Sequence, residues 1–166
     1  MAYTMTTEGL DNVEKMFREM GEQAGKVASY ALYEGAGVMV EEVNRQAKSI
    51  VASKFHYAVF PPTVQRLPSA EEKAAVVSAG AGIAKFQKDL SEVQTSVGYG
   101  NAGYTTIAGK VKPIPLIVNA IHSGTSFMKK QPFVRRAASI GKSRTIDTIV
   151  ASVDKQYQEI INKSGG

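Results

Sequence analysis

Apolar residues recur at helical spacing near both ends of the chain and alternate with polar ones in the middle. Leu10, Val13, Met16, Phe17 and Met20 form one stripe, which predicts a helix over 10–20 that Gly21 ends or bends. A long helix over 23–51 follows, its buried stripe reading Val27, Ala31, Gly35, Val38, Val43, Ala47 and Ile50. Its first half is rich in small residues, among them Ala28, Ala31 and Gly35, which let another helix approach closely. That helix belongs either to the same chain or to a second subunit.

Residues 52–68 fit no helix, because Pro61, Pro62 and Pro68 fix φ and remove backbone donors. The segment nevertheless holds Phe55, Tyr57 and Phe60, which need cover. A projecting arm that docks on a neighbouring copy would supply it, as would a loop folded over its own core. Ser69 with Glu72 three residues on reads as a capping box that opens a helix at Ala70. The helical pattern runs on to about Gln87, weakened at Gly80 and Gly82. Residues 93–98 and 104–107 are β-like, and the glycines between them suit a hairpin. Pro113 and Pro115 interrupt the chain, and 116–122 suits a helix or a strand.

The clearest stripe is the last: Ile146, Ile149, Val150, Val153, Tyr157, Ile160 and Ile161. Pro132 suits the first turn of a helical piece before it, with Gly141 as a break or kink between them. The tail 164–166 is expected to fray. These elements predict a single α+β domain over 1–166: an N-terminal helix pair, a small antiparallel sheet and a long C-terminal helix.

With 166 residues the chain suits one domain. Cysteine is absent and only His56 and His122 are present, so a metal site would be mostly carboxylate. The first ten residues lack the basic and apolar regions of a secretory signal, and no apolar run approaches a membrane span. Synthesis and retention in a cytoplasm, without a membrane anchor, is the expectation. The net charge of +5 is unevenly spread: −3 over 1–51, +2 over 52–111 and +6 over 112–166. Lys129, Lys130, Arg135, Arg136, Lys142 and Arg144 follow one another with no acidic residue between them. They are candidates for contact with DNA or an acidic partner, and a small basic nucleic-acid-binding protein is the alternative reading.

No catalytic constellation assembles. The glycines of 98–103 match G-x-G-x-x-G, but β-prone residues follow where the motif needs a helix. Gly141-Lys142-Ser143 lacks the glycine cradle of a phosphate loop, since Arg136 stands where its first glycine belongs. His122-Ser123 has no nucleophile elbow and no orienting acid in sequence. Glu41 and Glu42 face different sides of a helix. No catalytic residue, cofactor site or metal site is assigned.

Ile121-His122-Ser123-Gly124-Thr125-Ser126, followed by Gln131-Pro132-Phe133-Val134-Arg135-Arg136-Ala137, resembles a known family. It is similar to the small neck and tail-completion proteins of tailed bacteriophages, the gene-product-ten-like family of phage HK ninety-seven. That family shows a Gly-Thr pair, a spacer, Pro-Phe with a basic residue and alanine, and a long C-terminal helix. Glu8-Gly9-Leu10-Asp11, opening a helix, is similar too. The proline-rich 52–68 segment departs from the family's Thr-Gly-x-Leu motif. The resemblance implies a virion structural protein without enzymatic activity, acting as a homo-oligomeric ring at the head–tail junction. Its partners would be further copies of itself, head-completion or connector proteins, and tail-tube or tail-terminator proteins. DNA would pass without being read. Gly124, Thr125, Pro132 and Phe133 would shape the fold; Ala28, Ala31, Gly35, Phe55, Tyr57 and Phe60 are the candidate subunit contacts.

Overall fold

A computed structural model describes residues 10–53, 65–88 and 93–164. Four helices, α1 (Leu10–Lys48), α2 (Ala70–Ala79), α3 (Ile114–Ser123) and α4 (Phe133–Ser164), accompany six short strands. These are β1 (Gly82–Ile83), β2 (Gln87–Lys88), β3 (Val93–Gln94), β4 (Val97–Gly98), β5 (Tyr104–Ile107) and β6 (Lys110–Pro113). The fold is α+β with small antiparallel pairs and a long C-terminal helix.

The two N-terminal helices anticipated on either side of Gly21 are one continuous helix, α1. A glycine inside a helix costs about 1 kcal/mol, too little by itself to break a helix of 39 residues. Gly141 likewise does not break α4. It faces α1, where a Cβ would lie 3.3 Å from both Glu42 Cγ and Met39 Cε. Gly35 answers it from α1, where a Cβ would overlap Ile149 Cγ1 and lie 2.8 Å from Cδ1. One glycine from each helix thus admits the other, and α1 and α4 run antiparallel in close contact. Ala31 and Gly35 are buried within the chain, which corrects their reading as subunit contacts; Ala28 is half-buried. Phe55, Tyr57 and Phe60, with most of the anticipated arm, lie outside the described residues.

The contact also sorts the last apolar stripe. Gly141, Thr145, Ile149 and Ser152 are set towards the packed side, whereas Ile146 and Val150 are 48% and 53% exposed. A seam with glycine and polar residues on it is invisible to a pattern that counts only apolar side chains.

α2 starts as its sequence indicates: Ser69 Oγ accepts from Glu72 N–H, and the Glu72 carboxylate accepts from Ser69 N–H. It stops at Ala79, earlier than the pattern suggests, because Gly80 takes φ +66 and turns the chain. The following residues become strands. β1 pairs with β4 and β2 with β3, both antiparallel, as successive parts of one hairpin. The expected pairing of 93–98 with 104–107 is therefore replaced. β5 pairs instead with β6 across a two-residue turn, Ala108-Gly109, both at positive φ. That is the backbone a tight hairpin needs, here with alanine where asparagine or glycine is usual. The 116–122 stretch is helical in α3, with Pro113 at its N-cap and Pro115 in its first turn.

The core lies where the second half of α1 meets α2, β5, α3 and the start of α4. Val43, Ala47, Ile50, Val76, Ile107, Ile117, Ile121 and Phe133 are all buried there. Replacing Gly35 with valine forces side-chain overlap and is expected to cost roughly 1–3 kcal/mol, read as a lower urea midpoint. Gly37→Ala, where a Cβ meets open space, is expected to raise stability by up to about 1 kcal/mol.

Candidate functional site

The Gly-Thr and Pro-Phe pairs lie at the two ends of the loop joining α3 to α4. Gly124 ends α3 at φ +77, its N–H donating to Ala120 O at 3.0 Å. A Cβ there would sit 3.0 Å from Lys130 Cβ and 3.2 Å from Lys130 Cα and N. The left-handed backbone and the crossing of the chain by Lys130 both favour glycine. Thr125 then closes the turn. Its N–H donates to Met128 O at 3.0 Å, and its Oγ1 accepts from Met128 N–H at 2.9 Å. Met128 is buried, while Phe127 at the tip is 61% exposed.

The returning strand of the loop is pinned from three sides. Gln131 N–H donates to Ile121 O. The Gln131 amide pairs with the backbone of Val51, Nε2 donating to its carbonyl at 2.8 Å and Oε1 accepting its N–H at 2.9 Å. Arg66 N–H donates to Phe127 O, Arg66 O accepts from Lys129 N–H, and Gln65 Nε2 donates to Thr125 O. Pro132 O accepts from Arg136 N–H as α4 begins. Phe133 is buried, edge-on to the Tyr99 and His122 rings.

Arg66 and Glu72 anchor the loop's neighbour. The guanidinium donates to both carboxylate oxygens at 2.7 Å, a fork-to-fork pair with Glu72 buried. Burial pushes the Glu72 carboxyl up, but the Arg66 guanidinium and Ser69 N–H outweigh it and hold it below the ordinary value. This pair and the Gln131–Val51 clamp were not singled out from sequence. Glu72 was legible as a capping residue, whereas nothing local marks Arg66 as its partner.

The basic residues divide. Lys129 and Lys130 are exposed on the loop, and Arg135 and Arg136 on the first turn of α4. Lys142 is two turns beyond Arg135 on the same helix face. Arg144 points elsewhere: its Nη2 lies 3.6 Å from Glu41 Oε2 on α1. A cleft of about 420 Å³ between the helices holds this pair together with Glu42 and Arg45. Arg45 donates twice to Glu42, and this bonding holds the Glu42 carboxyl below its usual range. Charges in the cleft are mutually paired.

A second pocket of about 270 Å³ is lined in part by Gly98, Gly100, Asn101 and Ala102 of the G-x-G-x-x-G stretch. Small residues of β1 and β4, with Ser96 and Asn101, line it, and it contains no ionisable side chain. The glycines lead from a short strand into a turn and then β5, so the helix N-terminus required of a dinucleotide site is not there. His122 faces Phe133 rather than Ser123, whose hydroxyl donates to Asn119. Burial, with the nearby charges of Lys130 and Arg135, lowers the His122 pKa. Burial alone pushes the Tyr99 phenol up to about 12. Among the described residues no three histidine, aspartate or glutamate side chains converge, and no helix is long and apolar enough to cross a membrane.

Comparisons with family models, with curated proteins and with solved structures find no match.

Gly124→Ala meets both the positive φ and the Lys130 backbone, and is expected to cost about 1–3 kcal/mol in denaturant unfolding. His122 sets a pH window. The folded state holds its imidazole below 6.5, so the unfolded chain takes up the proton first. Stability is therefore full above that value and declines as pH falls below it. In thermal melts from pH 7.5 to 5, the His122→Phe variant is expected to lose less of its melting temperature on acidification than the parent does.

Proposed function

We propose that this chain is a structural virion protein of a tailed bacteriophage, a ring-forming neck or tail-completion component at the head–tail junction. The observation that carries this reading is the ordered motif Gly124-Thr125, spacer, Pro132-Phe133, with basic residues and a continuous C-terminal helix after it. The motif is also one physical unit. Its glycine, threonine and glutamine fold a single loop, and its phenylalanine anchors that loop in the core.

The polar groups of this unit are occupied with backbone bonding. They fix shape, which suits a building block, and the reading assigns no enzymatic activity. Its partners are copies of itself, connector or head-completion proteins, and tail-tube or tail-terminator proteins. The exposed cations Lys129, Lys130, Arg135, Arg136 and Lys142 suit an acidic neighbour or passing DNA held without sequence readout. The protein would be made in the host cytoplasm and end in the virion.

The test is genetic and structural. Deleting the gene from its phage is expected to leave filled heads and separate tails in electron micrographs, and mass spectrometry should find the protein in complete virions. Normal infectious particles formed without it would overturn the proposal.

A further inference from the structure

The first three turns of α4 carry an exposed face of one chemical kind. At 3.6 residues per turn, Arg135, Ser139 and Lys142 fall nearly in line, with Arg136 and Ser143 beside them inside about 120° of arc. All of them are exposed. The face therefore offers guanidinium, ammonium and hydroxyl donors, and Ile146 and Asp147 mark its end one turn further on. From Arg135 to Lys142 it runs about 10 Å along the helix axis. The α3–α4 loop adds the exposed Lys130 at the other end. Lys130 and Arg135 converge there, since the charges of both act on the His122 ring.

Among the described residues, no carboxylate pairs with Lys130, Arg135, Arg136 or Lys142. The acids Glu72, Glu42 and Glu41 are engaged by Arg66, Arg45 and Arg144 instead. Arg135 and Arg136 also stand in the first turn of α4, where the helix dipole disfavours a cation. No acidic residue in that turn offsets them. Helix stability and ion pairing among the described residues do not account for these charges. A polyanion outside the subunit does.

We propose that this face binds the phosphate backbone of double-stranded DNA without reading its bases. Three features select a nucleic-acid duplex over an acidic protein. A duplex carries one negative charge per about 1.7 Å of its axis, dense enough to meet every cation of the face at once. Phosphate oxygens accept from arginine, lysine and serine alike, the residue types present here, and such contacts carry no base information. A protein partner draws its affinity from an aromatic or aliphatic anchor near the centre of the contact, and the centre of this face is Ser139. Arg144, turned towards Glu41, takes no part. The inference deepens the neck reading above and rests on it only for the choice of DNA over RNA.

The test follows the fluorescence anisotropy of a labelled duplex titrated with the purified full chain over a range of salt. Binding is expected at low salt, with log K falling against log salt at a slope of about −3.6, as for four phosphate contacts. Arg135→Gln/Lys142→Gln is expected to halve that slope to about −1.8 and to weaken binding about ten-fold or more at equal salt. Lys155→Gln/Lys163→Gln removes the same charge from exposed positions at the far end of α4. It is expected to stay within about two-fold of the parent. Ser139→Glu sets a carboxylate at the centre and removes no cation, so it tests the face independently; it too should weaken binding about ten-fold. Circular dichroism should show parental helix content in these variants, and either face variant that keeps it decides the matter. No binding at low salt, an unchanged slope in Arg135→Gln/Lys142→Gln, or equal weakening by the charge-matched variant overturns the proposal. So does a strong preference for one base sequence or for duplex RNA, or polyglutamate competing as well as DNA. A virion protein that binds no DNA would sink this face and leave the neck reading standing. DNA binding by a protein absent from virions would do the reverse.

Discussion

The close approach of α1 and α4 is the constraint on which the rest of the molecule depends. Gly35 and Gly141, on opposite helices, remove the side chains that would hold the two backbones apart. Each glycine gives up helix propensity, about 1 kcal/mol relative to alanine. Dispersion and burial along the shared seam offset that cost. Because the seam fixes both helices in register, it also fixes which faces of α4 are left over. Ile146 and Val150 are exposed because Thr145, Ile149 and Ser152 take the inward positions.

The seam delivers the second half of α1 and the first turn of α4 to the same end of the molecule, where the core is built. There the loop between α3 and α4 is held by backbone bonds and by side chains acting on backbone. Thr125 closes its turn, Gln131 binds both backbone groups of Val51, and Gln65 reaches the Thr125 carbonyl. The Arg66–Glu72 pair steadies the segment against which the loop lies. A half-buried pair of this kind is destabilising to break, because the partner left behind keeps a desolvated charge. The loop thus presents Lys129 and Lys130 from a rigid base, beside Arg135 and Arg136 on the helix that follows.

This arrangement separates the acidic and basic parts of the chain only partly. Arg144 answers Glu41, and Arg45 answers Glu42, so some of the charge is paired within the chain. Lys129, Lys130, Arg135, Arg136 and Lys142 remain exposed at one end of α4. The basic excess at the start of α4 is thus a property of one exposed surface region.

Sequence alone determined whatever is encoded within a few residues. The capping box of Ser69 and Glu72, the helical stripes of both long helices, the β character of 104–107 and the α+β class follow from local spacing and backbone preference. The glycine at 124 and the proline at 132 likewise marked the ends of a loop. Tertiary structure decided the rest. It kept α4 unbroken through Gly141, because packing against α1 outweighs a single unfavourable propensity, and α1 runs unbroken through Gly21 as well. It paired β5 with β6 rather than with 93–98, because the residues of 82–88 were free to take the earlier strands once Gly80 had ended α2. It joined Arg66 to Glu72 and Gln131 to Val51, partners whose chemistry is ordinary and whose proximity no local pattern encodes. It also turned the α4 stripe, since which side of a helix is buried depends on where its neighbour lies.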